Sequence, residues 1–322
     1  MMTAKTFSRA CTFLTDDVAP RALKKIGLKQ SSPQGRMRSA SDERSMAVPF
    51  AYAAAKQRER VAVMCHLYYV EMASQIFSAL EASGLYADLF ISTDSEEKAN
   101  EIRNAIPWNY GRVTIRVVEN RGRDIAPKLI TFADVYQRYP LVLCLHAKKS
   151  GHFDFGDDWR VYLLQCLAGS PAIVGSILEI FRQCPDIGMI VPAHFHRLRK
   201  KLGGFGWGAN FRTARRLGWQ MDIDLSETDF LDFPTGSMFW ARGAALEPLV
   251  SLRLRFADFP KEPCWIDGTL AHAIERLFLF SCERAGFKWA KVAMNGSDAI
   301  STPSDVSAFV QGHSFSLLNR QP

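Results

Sequence analysis

Two short runs carry the residue types best suited to chemistry: Glu119-Asn-Arg-Gly-Arg-Asp124 and His146-Ala-Lys-Lys-Ser150. Each follows a predicted parallel strand, residues 113–118 and 141–145. In open α/β sheets ligands bind in the crevice beyond the carboxyl ends of the strands. The two runs would therefore bring Arg121, Arg123, Asp124, His146, Lys148 and Lys149 to one site. Such a mostly cationic group suits a phosphorylated, sugar-like ligand. Cations at a buried strand end are costly without an anionic partner, so His146 and Lys148 read as groups that meet a diphosphate. Lys149 reads equally well as a surface lysine. Gly122 would allow close backbone approach, and Asp124 precedes a helix whose N-terminus attracts anions. Of Arg121 and Arg123, one should face the cleft and the other a structural carboxylate.

Other strand ends extend this set. The first predicted strand ends at His66. The second ends at Ser92-Thr-Asp-Ser95, where Asp94 would contact a nucleobase or ribose, or else cap the next helix. Further along, Trp207, Asn210, Gly236, Ser237 and His272 are candidates for sugar contact, with core packing as the alternative for the aromatic strand after Pro234. Asp267 opens a predicted helix, as its N-cap or as a carboxylate held at the cleft edge to act as general base. His194 and His196 flank Phe195 and could point the same way. That pair is a weak metal signal, and the chain has no H-x-x-x-H or zinc-spaced Cys/His set. Walker A, dinucleotide-binding and G-x-S-x-G motifs are absent.

The elements that must position these residues alternate regularly. Strands at 61–66, 87–92, 113–118 and 141–145 are separated by helices at 72–82, 96–106 and 126–136. This pattern implies βαβ crossovers and a mostly parallel, Rossmann-like α/β sheet with helices on both faces. The strands read as apolar on both sides of the pleat. Helices follow at 157–168 and 173–182, with a strand at 187–192. A strand at 233–241, a helix at 244–252, a long helix at 267–285 and a strand at 287–292 complete the pattern.

Composition sets the bounds. The chain has 322 residues, is 48% hydrophobic and has a net charge of +7, enough to bury a sizeable core. Residues 1–60 carry 12 Lys/Arg against 5 Asp/Glu, whereas the remainder is balanced. The excess thus belongs to an N-terminal arm, residues 1–57, expected to be disordered or loosely helical. This argues against nucleic acid as partner and leaves a membrane-surface contact open for the arm. A single α/β domain is expected over residues 58–294, with an irregular tail from 295 to 322. Seven scattered cysteines without a C-x-x-C pair fit free thiols in a reducing compartment. With no apolar run of membrane-spanning length, a cytoplasmic protein is expected, in peripheral contact with the inner membrane face at most.

Taken in order, several segments resemble the rhamnan synthesis protein F family of bacterial polysaccharide and O-antigen assembly. They are Glu119–Pro127, Leu145–Ser150, Trp159-Arg160, Gly169-Ser170, Ile187–Pro192, Trp207–Asn210, Pro234–Trp240 and Asp267–His272. The resemblance implies glycosyl transfer, of rhamnose or a related deoxysugar, from a dTDP-rhamnose-like nucleotide-diphospho-sugar to a glycan or lipid-linked glycan. The strand order is also similar to the GT-A glycosyltransferase architecture. On that comparison His66, Asp94, Asn120, Gly122, Arg123 and Asp124 would hold the donor. His146 and Lys148 stand where such enzymes often carry Asp-x-Asp for Mg or Mn, and no carboxylate pair follows that strand. Asp267 would be the base of an inverting enzyme. The alternatives are a non-catalytic carbohydrate-binding or scaffolding subunit and, with less support, a phosphate-ester hydrolase.

Overall fold

The computed structural model describes residues 44–54, 57, 59–147, 154–198, 206–228, 231–265, 267–296, 299–312 and 316–318. The chain divides after Pro33 into two units, and every described residue belongs to the second. Its elements, in chain order, are β1 (Met46–Ala47), β2 (Val61–Leu67), α1 (Ala73–Ala82), β3 (Ala87–Thr93), α2 (Glu96–Ala105) and β4 (Val113–Val117). A π-helical turn (Pro127–Thr131), α3 (Ala133–Arg138), β5 (Leu141–Ala147), α4 (Gly156–Ala168), α5 (Pro171–Gln183) and β6 (Ile187–Pro192) follow. The last are α6 (Phe211–Gln220), β7 (Phe239–Arg242), α7 (Glu247–Val250), α8 (Leu270–Glu275), α9 (Phe278–Arg284), β8 (Lys288–Ala293) and α10 (Pro303–Gly312).

The eight strands form one sheet in the order β1-β8-β6-β7-β5-β2-β3-β4. Only β7 runs antiparallel to its neighbours; all other pairs are parallel. The expected Rossmann-like α/β sheet is therefore present, with helices on both faces. Successive strand residues point to opposite faces, and β2 shows it directly. Val61, Val63, Cys65 and Leu67 join the core under α1, α4, α5 and α10. Ala62 and Met64 join the other core, under α3, α6, α8 and α9.

Local signals set several boundaries. Ser95 caps α2 by accepting from the Lys98 amide at 3.3 Å. Ser170 caps α5 in the same way from Ile173, with Pro171 as its first residue, where a missing N–H costs nothing.

Other expectations need correcting. β4 is a half-exposed edge strand, not a strand covered on both faces. The body begins earlier than residue 58: β1 pairs with β8, and Met46 is fully buried. The C-terminal tail is not all irregular, because α10 buries Val306, Phe309 and Val310 against α5. The helix expected over 267–285 is two, broken at Arg276-Leu277, where the Leu277 amide turns back to Ile274 at 2.8 Å. The expected 126–136 helix is the π-helical turn plus α3, and that expected over 244–252 is a 3-10 turn plus α7. The strand expected from 233 begins only at Phe239, and residues 234–237 make a turn.

Candidate functional site

The face of the sheet that carries α8 and α9 also carries the polar strand ends. His66 continues the Ala62, Met64 alternation on β2, and His146 continues Val142, Cys144 on β5; the two are register partners. His66 Nδ1 lies 3.0 Å from the Ser92 hydroxyl. Burial pushes the His66 imidazole down to about 4, with the Asp124 carboxylate pulling the other way. His146 is equally buried, and its Nε2 donates to the Gly236 carbonyl.

Because β7 is antiparallel, the turn that feeds it lies at the carboxyl end of β5, and this turn is held from three sides. Lys128 Nζ donates to the Ser237 carbonyl at 2.7 Å and pairs with Asp124 at 3.3 Å. Its ammonium lies 5.1 Å from the ring centre of Phe239 and 5.4 Å from that of Phe278. Glu275 Oε1 accepts from both the Gly236 amide and the Ser237 hydroxyl at 3.1 Å. His146 supplies the third tie. A buried lysine is tolerable only when paired and hydrogen-bonded, and Lys128 is both.

A second polar group lies beyond the first. Arg123, at φ 56°, directs Nη1 to His272 Nε2 at 2.9 Å and Nη2 to the Trp265 carbonyl at 2.8 Å. Its Nε is 3.6 Å from Glu262. His272 Nδ1 is 2.8 Å from the Thr269 hydroxyl, and Thr269 is the N-cap of α8. Arg276 donates to the His272 carbonyl at 2.9 Å and lies 3.6 Å from Asp267 Oδ1. Asn210 Nδ2 donates to the same carboxylate oxygen at 2.8 Å, while its Oδ1 accepts from the Gly268 amide at 3.2 Å. Asp267 is thus a half-exposed carboxylate on a loop before α8, with one oxygen oriented by an amide and a guanidinium. Asp124 adjoins Arg123, and Glu275 adjoins Arg276, so the two groups share their backbone supports.

The structure sorts the expected site residues differently from the sequence. Gly122 does not offer its backbone to a ligand: a Cβ there would lie 2.5 Å from the Phe259 ring and 2.6 Å from Ala126. Arg121 pairs with Glu119 at 3.0 Å and donates to the Phe259 carbonyl at 2.8 Å, the structural role foreseen for one of the two arginines. Arg123 turns toward His272 rather than toward the other donor candidates. Asp94 does not cap α2; it pairs with Lys98 at 2.6 Å, whose ammonium lies 3.9 Å from the Tyr68 ring centre. The Asn120 carbonyl accepts from Glu262, tying that loop to the one ahead of α8.

Among the sugar-contact candidates, Trp207 is 1% exposed and packs on Phe211 and Phe280. Asn210 is fully buried and orients Asp267, while Gly236 and Ser237 form the clamped turn. Trp207, Asn210 and Ser237 are buried, their volume or hydrogen bonds taken up within the protein, and Gly236 is partly exposed. The exposed aromatic beside Asp267 is instead Trp265, at 64% exposure, which sequence reasoning missed. Lys128 was also missed, although its i,i+4 spacing from Asp124 on a predicted helix was a usable signal. Lys148 and Lys149 lie outside the described residues. His194 and His196 do not point together. His196 is exposed, while His194 is buried 3.1 Å from Lys291, which pairs with Asp232 at 2.8 Å.

A divalent metal finds no fitting donor set here. Among the described residues no three His, Cys, Asp or Glu side chains converge. Asp124 already faces the Lys128 ammonium, and Glu275 is taken up by the Gly236 amide and the Ser237 hydroxyl. Among the described residues, no single helix is long and apolar enough to cross a membrane.

Comparison with known proteins gives consistent matches. The model of the family described as rhamnan synthesis protein F matches residues 44–287. Two curated relatives, both named uncharacterized protein WxcX, come from Xanthomonas campestris pv. campestris strains B100 and ATCC 33913. Each is 34% identical over 228 residues, covering 70% of this chain. The matched stretch spans only 32% of each relative's length.

Proposed function

Since the chain belongs to the rhamnan synthesis protein F family, we propose that it is an inverting glycosyltransferase of bacterial cell-surface polysaccharide synthesis, on a GT-A-like scaffold. The donor is a nucleotide-diphospho-sugar carrying rhamnose or a related deoxysugar, and the acceptor is a growing glycan, free or lipid-linked. The observation that carries the reading is the Asp267 carboxylate, half-exposed on the loop before α8 and fixed by Asn210 and Arg276.

In the reaction, an acceptor hydroxyl approaches Asp267 and gives it its proton as the oxygen bonds to the anomeric carbon. The bond from that carbon to the diphosphate oxygen breaks, and its electron pair leaves with the nucleoside diphosphate. Lys148, two residues beyond His146, supplies positive charge to the leaving diphosphate. His146, its Nε2 committed to the Gly236 carbonyl, anchors the end of β5, which Lys148 follows in the sequence. The exposed Trp265 indole offers an apolar face for an acceptor sugar. No step runs through a metal. The protein acts at the cytoplasmic side of the membrane, where residues 1–57 add a basic contact.

A second reading, a non-catalytic carbohydrate-binding or scaffolding subunit, draws on one observation. The buried His66, Asp124, Lys128 and Ser237, with the partly exposed Glu275, make these hydrogen bonds within the protein. Calorimetry with a panel of nucleoside diphosphates separates the two. The transferase binds at least one, and Asp267→Asn abolishes donor turnover while keeping that binding. Binding of saccharide alone, with no nucleoside diphosphate bound, establishes the scaffold instead. Full turnover in Asp267→Asn removes the base assignment.

A further inference from the structure

Helix α6 has the sequence Phe211-Arg-Thr-Ala-Arg-Arg-Leu-Gly-Trp-Gln220 and contains no carboxylate. Its buried side, Ala214, Leu217 and Gly218, packs into the core. At 3.6 residues per turn, Arg212, Arg215, Arg216 and Trp219 fall within an arc of about 100° on the opposite side. All four are exposed, Trp219 at 57%. The Arg215 guanidinium lies 4.7 Å from the centre of the Trp219 indole. No other described tryptophan except Trp265 is as open to solvent.

We infer that this face of α6 is a docking surface for an anionic lipid bilayer. Guanidinium groups bind phosphate oxygens through paired N–H donors. Tryptophan is the residue enriched at headgroup depth, where its ring is apolar and its N–H is wet. A helix lying along the protein surface with both on one face matches the composition of interfacial helices. The helix itself carries three cations and no anion, and the segment directly after it carries exposed Asp222 and Asp224. The nearest carboxylate past its end, Asp222, is paired with Arg284 at 3.0 Å.

The surface is distinct from the basic segment at residues 1–60, and the inference does not use the transferase reading. It does have a consequence for it. Asn210 immediately precedes α6 and holds Asp267, so a bilayer under this helix brings that carboxylate toward a lipid-linked acceptor.

The test uses the full chain and phosphatidylcholine vesicles with or without phosphatidylglycerol. The wild type is expected to sediment with the phosphatidylglycerol vesicles only. The triple variant Arg212→Gln/Arg215→Gln/Arg216→Gln, which leaves residues 1–60 intact, should lose affinity by on the order of 100-fold. Circular dichroism melts matching the wild type would establish that the variant is folded. With brominated lipid included, tryptophan emission is quenched in the wild type, and the quenching falls in Trp219→Phe. Equal sedimentation of wild type and triple variant overturns the proposal in favour of the basic segment. So does quenching unaltered in Trp219→Phe, or no vesicle binding at all. If the triple variant loses affinity for an oligonucleotide but not for vesicles, the surface serves nucleic acid and the lipid assignment falls.

Discussion

Arg123 and His272, separated by 149 positions in the chain, meet with Nη1 2.9 Å from Nε2. Arginine can only donate, so Nε2 accepts in this contact, while Nδ1 lies 2.8 Å from the Thr269 hydroxyl and 3.4 Å from the Thr269 amide. The same guanidinium holds the Trp265 carbonyl and faces Glu262. It thereby fastens the loop after β4 to the start of α8. The positive φ of Arg123 costs about 1 kcal/mol or more and persists because these partners together over-determine its position.

Arg123→Lys keeps the charge but cannot point in three directions at once. Loss of the charge-assisted bonds should destabilise the protein by about 2 kcal/mol. The variant should also show weakened acceptor saturation in a turnover assay. A denaturant melt unchanged from wild type would show that the fork is dispensable.

Asn210→Ala removes the amide that aims Asp267 without touching the carboxylate. Misplacing a catalytic group by about 1 Å can cost on the order of 100-fold in rate. Turnover should fall by that order while nucleoside diphosphate binding, read by calorimetry, stays at the wild-type value. A parallel loss of donor binding would mean that Asn210 supports the whole crevice.

Gly122→Ala tests packing at the strand-end loop. The position combines φ +66° with a Phe259 ring 2.5 Å from where the methyl would go. Strain and overpacking together should cost about 3 kcal/mol, visible as a lower thermal midpoint. Adding Phe259→Leu should restore part of the loss. Recovery to the wild-type midpoint would assign the whole cost to the clash and none to the backbone.

His66 sets a pH dependence. Its folded value, near 4, lies below the ordinary 6.5, so below pH 6.5 the unfolded chain takes up a proton that the folded one refuses. Stability therefore falls as pH drops from 6.5 toward 4 and levels off below that, a contribution on the order of 3 kcal/mol over the window. His66→Asn should flatten this part of the curve in melts at stepped pH. An imidazole that titrates near 6.5 by NMR in the folded protein would contradict the burial argument.

The regular βαβ pattern was legible because both of its causes are local. Alternation of short apolar runs with 3.6-periodic segments specifies strands and helices wherever they later pack. Caps such as Ser95 and Ser170 are read from adjacent residues. The same local reading showed that polar residues end the strands. It overlooked α10, although Val306, Phe309 and Val310 have helical spacing, because the surrounding segment is polar.

What the sequence determined by itself was the layered α/β sheet and the edge at which polar side chains collect. Which of those side chains face a ligand and which face one another was decided only by the tertiary structure. Lys128 reaches Ser237 across 109 positions, Asn210 reaches Asp267 across 57, and Phe259 fills the space above Gly122. The antiparallel insertion of β7 places the 234–237 turn beside His146, a neighbourhood that no spacing along the chain encodes. A buried polar group must find its partner wherever the fold brings one. For that reason Trp207, Asn210 and Ser237 are drawn into the protein's own contacts, and the exposed side chains beside them are Asp267 and Trp265.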